Sequence, residues 1–285
     1  MAVHKRSYRA YTGALTPAWS RLLVLYRYSR EGMFRSKATT GFFFLCFFYP
    51  LLCLLAIYVS NSVGFLSQYR GALSWLQINN NFFFYFVDVQ GVLAFIFTSF
   101  AGPGLISSDL ANGALPLYFC RPFSRTEYIL GKASVLAILL SYITWIPGLV
   151  LFAVQCGLAG FAWTRANLWM AGSIVLSCSI WIAILCLLSL ALSAWVRWKI
   201  VAGALLLGVL FLGSGFGQAI NGILQTNYGY VLDLANLIGA VWAKLFGIRN
   251  ELPISQTEAW VSLLTICALC LLLLWRKVRA YEVVK

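Results

Sequence analysis

The chain has 285 residues, of which 61% are hydrophobic, 16% aromatic and only 10% charged, with a mean hydropathy of +0.84. Soluble domains run nearer a quarter charged, so a water-soluble enzyme and a disordered chain are both excluded, and the composition is that of a polytopic membrane protein. The charge balance, 21 Lys and Arg against 8 Asp and Glu for a net +13, would suggest nucleic acid in a soluble protein, but its placement along the chain marks one face of a membrane.

Residues 1–38 read as a basic cytoplasmic tail and an interfacial helix. Lys5, Arg6 and Arg9 are followed by polar and small residues, not by an apolar h-region, so no cleavable signal is expected and the first span serves as the insertion signal. Trp19, Leu22, Leu23, Tyr26, Met33 and Phe34 recur at helical spacing while Arg21, Arg27 and Arg35 fall off that face, which predicts a helix lying in the interface. Arg30 breaks the stripe and Gly32 weakens the helix; the alternative is a basic juxtamembrane segment holding anionic lipid.

A bilayer-crossing helix needs about 20 apolar residues to satisfy its backbone across ~30 Å of hydrocarbon. Six runs qualify within residues 39–275, at 39–60, 82–105, 127–155, 168–195, 200–219 and 258–275, leaving a basic tail at 276–285. The side holding both termini then carries seventeen Lys or Arg, including Arg121, Arg125, Lys132, Arg197 and Lys199, against four on the other side: Arg70, Arg165, Lys244 and Arg249. The positive-inside rule puts both termini in the cytoplasm, with the chain in the plasma membrane, the inner membrane of a bacterium. Six of the eight cysteines fall within spans as small apolar residues, and the CxxC spacing of Cys267 and Cys270 lies on an apolar helix, which suits packing and not a redox pair.

Two features inside the spans attract attention. Asp88 is either a pathway residue in the outer third of span two, paired with Arg70 or Arg165, or a headgroup-level residue if the span begins near Val89. Pro147-Gly148 in span three is a hinge, or a kink whose freed carbonyl is satisfied by neighbours.

The loop 105–127 is the most informative stretch. Pro103 between two glycines ends span two. Ser107, Ser108 and Asp109 are N-cap candidates for a short helix limited by Gly113 and Pro116 and closed by Arg121-Pro122. Ser124 and Glu127 form a capping box that starts span three at a defined point, and Lys132 is expected to snorkel to the cytoplasmic interface. A short helix bracketed in this way suits the reception of a push from a soluble partner.

The outer segment 220–257 is amphipathic. Val231, Leu234, Leu237, Ile238, Val241, Trp242, Leu245 and Phe246 make one apolar face opposite Asp233, Asn236 and Lys244, in a stretch too short to cross, so it is expected to lie in or dip into the outer leaflet. Gly213, Gly215 and Gly217 loosen the end of span five for a turn back into the membrane or, at GxxxG spacing, let another helix pack closely, or do both.

The order acidic residue, short helix, Arg121-Pro122-x-Ser124-Arg125-x-Glu127-Tyr128-x-x-Gly131-Lys132 and long apolar helix resembles the loop of ABC-2 type transporter permeases. The likeness extends over the whole chain: interfacial helix, six spans, loop after span two and membrane-dipping segment before span six. Asp109 stands where that family usually has an acidic residue, often Glu. The resemblance implies a coupling helix docking on an ATP-binding subunit through Asp109, Arg121, Pro122, Ser124, Arg125, Glu127, Gly131 and Lys132, and an outer exit shaped by re-entrant helices. Candidate pathway or gate residues are then Asp88, Gly213, Gly217, Leu237 and Val241. It further implies a second permease subunit, identical or closely related, two ATP-binding subunits that carry the ATP and Mg, no cofactor in this chain, and export of an amphiphile across the lipid bilayer.

No GxxxxGK followed by Ser or Thr occurs, so a separate ATPase is required. The rival readings are a secondary transporter or channel, which should place several ionisable groups near the midplane, and an intramembrane enzyme. The only histidine is His4, and neither HExxH nor paired carboxylates occur in any span, so no catalytic or metal-binding residue is expected.

Overall fold

A computed structural model describes residues 18–62, 78–115, 118, 124–249 and 253–277. Among these residues the regular elements are all helical. They are α1 (Ala18–Phe34), α2 (Lys37–Leu45), α3 (Phe48–Ser62), α4 (Asn80–Ala101), α5 (Gly104–Ala111), α6 (Arg125–Ile143), α7 (Trp145–Ala159), α8 (Phe161–Asn167), α9 (Trp169–Trp195), α10 (Lys199–Leu224), a 3-10 turn (Tyr228–Leu232), α11 (Leu234–Leu245) and α12 (Gln256–Lys277).

Among the described residues six segments are long and apolar enough to cross a membrane: Lys37–Asn61, Asn80–Ala111, Arg125–Ala159, Trp169–Trp195, Lys199–Leu224 and Gln256–Lys277. The chain is therefore a helical multi-pass membrane protein. The fourth span, α9, is the axis of the bundle. It packs against α4, α6, α10 and α12, and two indoles satisfy backbone there: Trp181 Nε1 donates to Gly91 O at 2.9 Å and Trp242 Nε1 to Ser177 O at 3.1 Å.

Spans one and three are each broken in two: the break in span three falls at the predicted Pro147 kink, while that in span one was not expected from the continuous run 39–60. The cause is local. Pro50 and Pro147 each occupy the third position of the second half-helix, and each lacks the N–H that would bond the carbonyl four residues back while its ring crowds that carbonyl. The two freed acceptors are Cys46 O and Ile143 O, and one buried side chain serves both: Gln90 Nε2 donates to them at 2.9 and 2.6 Å. Pro147 is thus a kink with its carbonyl satisfied by a neighbour.

A helix forms over the predicted segment as α1, but the packed line differs from the predicted face. Leu25, Ser29 and Met33 are buried, in the region where α1 meets α6, while Leu23 is 54% exposed. Arg30 points away and its guanidinium lies 5.6 Å from the ring centre of Tyr26.

Span five does not loosen at its glycines. It runs unbroken to Leu224 and then turns at Gln225, whose φ of 50° is left-handed. Gly213 and Gly217 instead admit the 3-10 turn: a methyl group at Gly213 would sit 2.7 Å from Leu232 O, and one at Gly217 would collide with Gly229 O, whereas Gly215 has open space. The close-packing alternative for the GxxxG spacing holds.

Candidate coupling loop and outer gate

The short helix of the loop, α5, begins at Gly104, so Ser107, Ser108 and Asp109 lie inside it and not at its N-cap. Its first free N–H groups find a cap from a distant element. Ser193 Oγ, on α9, accepts from Ile106 N at 3.2 Å and Ser107 N at 2.9 Å and donates to Pro103 O at 2.5 Å. One turn earlier on α9, Ser189 presses against Gly102 where any side chain would clash. The turn between span two and α5 is therefore seated on span four. Gly113, at a φ of +62°, stops the helix where predicted.

Asp109 faces inward. Its carboxylate Oδ2 lies 2.8 Å from Lys132 Nζ and accepts from Tyr128 Oη at 2.7 Å. Lys132 is only 3% exposed, so it does not snorkel. Both members of the pair are largely shielded from solvent, where the attraction between opposite charges replaces lost hydration. The pair ties α5 to the first turns of α6. The Tyr118 ring lies tilted against that of Tyr128, centroids 5.4 Å apart; burial, then the nearby Asp109 carboxylate and Tyr28, push its phenol up to about 12, so it stays neutral beside the pair.

The capping box forms as read. Ser124 Oγ accepts from Glu127 N at 3.2 Å, and Glu127 Oε2 accepts from Ser124 N at 2.7 Å. Gly131 is buried and Arg125 is exposed. Arg121 and Pro122 lie outside the described residues. A second box of the same Ser-x-Thr-Glu spelling, unrecognised in the sequence, opens α12: Ser255 N donates to Glu258 Oε2 at 2.9 Å and Glu258 N to Ser255 Oγ at 3.2 Å.

At the other end of the bundle, α11 buries its apolar face against protein. Leu237 is 0% and Val241 1% exposed, packed where α11 meets α9 and α12. Asp233 does not belong to the polar face as predicted. It is 2% exposed and caps α11, its Oδ1 accepting from Ala235 N and Asn236 N at 3.1 and 3.3 Å and its Oδ2 accepting from Ser214 Oγ and Asn236 Nδ2, each at 2.7 Å. Lys244 is exposed. Ser173 Oγ donates to Leu245 O at 2.7 Å and Asn80 Nδ2 to Phe246 O at 3.0 Å, closing the C-terminal end of α11.

Asp88 lies two turns inside α4, which begins at Asn80. Its side chain is exposed on the same stripe as Tyr85 and Val92, and it forms no ion pair among the described residues; Arg70 lies outside them.

The two clusters share one rod. Ser173 and Ser193 on α9 are separated by about 30 Å of helix at 1.5 Å per residue, and each bonds a different non-crossing segment. No protein-family model matches the chain, and no curated protein matches it.

Proposed function

We propose that this chain is the membrane-spanning subunit of an ABC exporter of the ABC-2 type, working as one of two permease subunits beside two ATP-binding subunits. ATP and Mg belong to those partners. The observation that carries the reading is the seating of the loop after span two: α5 is capped by Ser193 of span four and tied by Asp109 to Lys132 of span three. A displacement of this loop therefore acts on three spans at once, which is the mechanical property a coupling helix needs. Its outward contact surface includes Arg125, which is exposed, and not Asp109, which is turned inward onto Lys132.

The outer segment gives the second half of the mechanism. Helix α11 and the 3-10 turn are bonded to spans two, four and five, so rearrangement of the spans carries Leu237 and Val241 with them and opens or closes the exit. Both termini are assigned to the cytoplasm by the distribution of Lys and Arg. An amphiphile fits a pathway between apolar helices.

The test is isolation of the tagged full-length chain from native membranes in mild detergent. The reading expects an ATP-hydrolysing P-loop chain to co-purify in equal stoichiometry, with two copies of each. A pure, active chain that moves a solute without any ATPase would favour a secondary transporter.

A further inference from the structure

We propose that a groove at the basic end of the bundle binds the phosphate headgroup of an anionic phospholipid. The groove encloses about 590 Å³ between the α1–α2 junction, the α4–α5 turn and the start of α10, a volume within the range of small-ligand sites. The proposal is independent of transport.

Its lining combines two chemistries. Arg35, Ser36 and Lys199 line it together with Phe100, Ala204 and Leu207 of spans two and five. The anions of the lining are already used. Glu31 accepts from Arg27 at 3.3 Å, and Asp109 holds Lys132 and Tyr128. Arg35 and Lys199, by contrast, make no ion pair with any described residue. The groove therefore presents two unneutralised cations to an incoming anion, with the Ser36 hydroxyl alongside.

The position suits a lipid more than a free anion. Arg35 and Lys37 flank span one, Arg197 and Lys199 flank span five, and Trp198 between the latter is 75% exposed, as side chains at headgroup level are. Phe100 is 60% and Ile200 79% exposed beside the groove, giving acyl chains an apolar track along the spans. Gly32 also lines the groove, and a methyl group there would meet nothing within 4 Å. Free phosphate would use the cations and leave this track uncovered.

The experiment is native mass spectrometry of the full-length chain in detergent, titrated with phosphatidylglycerol, phosphatidylcholine or inorganic phosphate. We expect retention of phosphatidylglycerol over phosphatidylcholine and its loss by at least about thirtyfold in the double variant Arg35→Glu/Lys199→Glu, each basic side chain being worth roughly a factor of five at an anionic surface and the new carboxylates adding repulsion. The milder Arg35→Gln/Lys199→Gln pair serves if the reversal does not fold, with weakening in the same direction. Ala204→Trp should obstruct the acyl track and reduce phosphatidylglycerol, while Lys244→Glu, at the other end of the bundle, should change nothing. Undiminished retention in both double variants overturns the site. Phosphate competing as well as the lipid, with Ala204→Trp silent, overturns the lipid assignment.

Discussion

Gln90 Nε2 donates at 2.6 Å to the carbonyl of Ile143, the acceptor that Pro147 deprives of its helical partner. The same nitrogen donates to Cys46 O, the acceptor freed by Pro50. One amide on span two thus braces the kinks of spans one and three. Gln90→Leu should cost about 1–2 kcal/mol, the usual worth of such interhelical bonds. Pro147→Ala returns an N–H to Ile143 O and should suppress part of that loss. Thermal unfolding of the single and double variants in detergent measures the coupling; strict additivity would show that the bond and the kink are unrelated.

The Asp109–Lys132 pair makes a contrast of a different kind. Asp109→Ala leaves a buried ammonium without its counter-ion and should destabilise by about 3–5 kcal/mol, whereas Asp109→Leu combined with Lys132→Met removes both charges and should recover most of it. Melting temperatures of the three proteins decide. A single variant as stable as the parent would mean that Asp109 is a surface residue after all.

Much of the architecture was readable because it depends on short-range pattern. The six apolar runs emerged within a few residues of the observed helices, and the Ser124–Glu127 box is a four-residue motif. What escaped depends on partners far away in the chain. Gln90 reaches Cys46 and Ile143, 44 and 53 residues off, and Ser193 reaches Ser107 across 86; no spacing rule announces such bonds before the helices pack. Lys132 was assigned to the interface because lone lysines near span ends usually go there, and the carboxylate that draws it inward lies beyond a loop. Asp233 was placed on the polar face for its charge, although the same carboxylate is a helix cap.

Close approach at the outer end yields a steric prediction. Gly217→Val must displace the carbonyl of Gly229 and should cost about 1–3 kcal/mol, while Gly215→Ala, facing open space, should be tolerated. Size-exclusion profiles and melting curves of both variants give the comparison. Equal tolerance would mean that the 3-10 turn does not rest on span five.

Burial of Asp233 and exposure of Lys244 lead to different labelling. A cysteine at Lys244 should react with an impermeant maleimide from outside intact cells, and one at Asp233 should not react until the protein unfolds. Reaction at Lys244 from the cytoplasmic side alone would invert the assignment of both termini.

The most direct test of the coupling reading is ATP hydrolysis by the complex of the full-length chain with its ATP-binding subunit, compared between wild type and Arg125→Glu. Arg125 is exposed at the start of span three and outside the buried pair, so the variant should keep its melting temperature and its membrane insertion. The account predicts about a tenfold or greater loss of hydrolysis and of subunit association, as charge reversal at a docking surface costs several kcal/mol. Full hydrolysis by an intact complex carrying Arg125→Glu would contradict it.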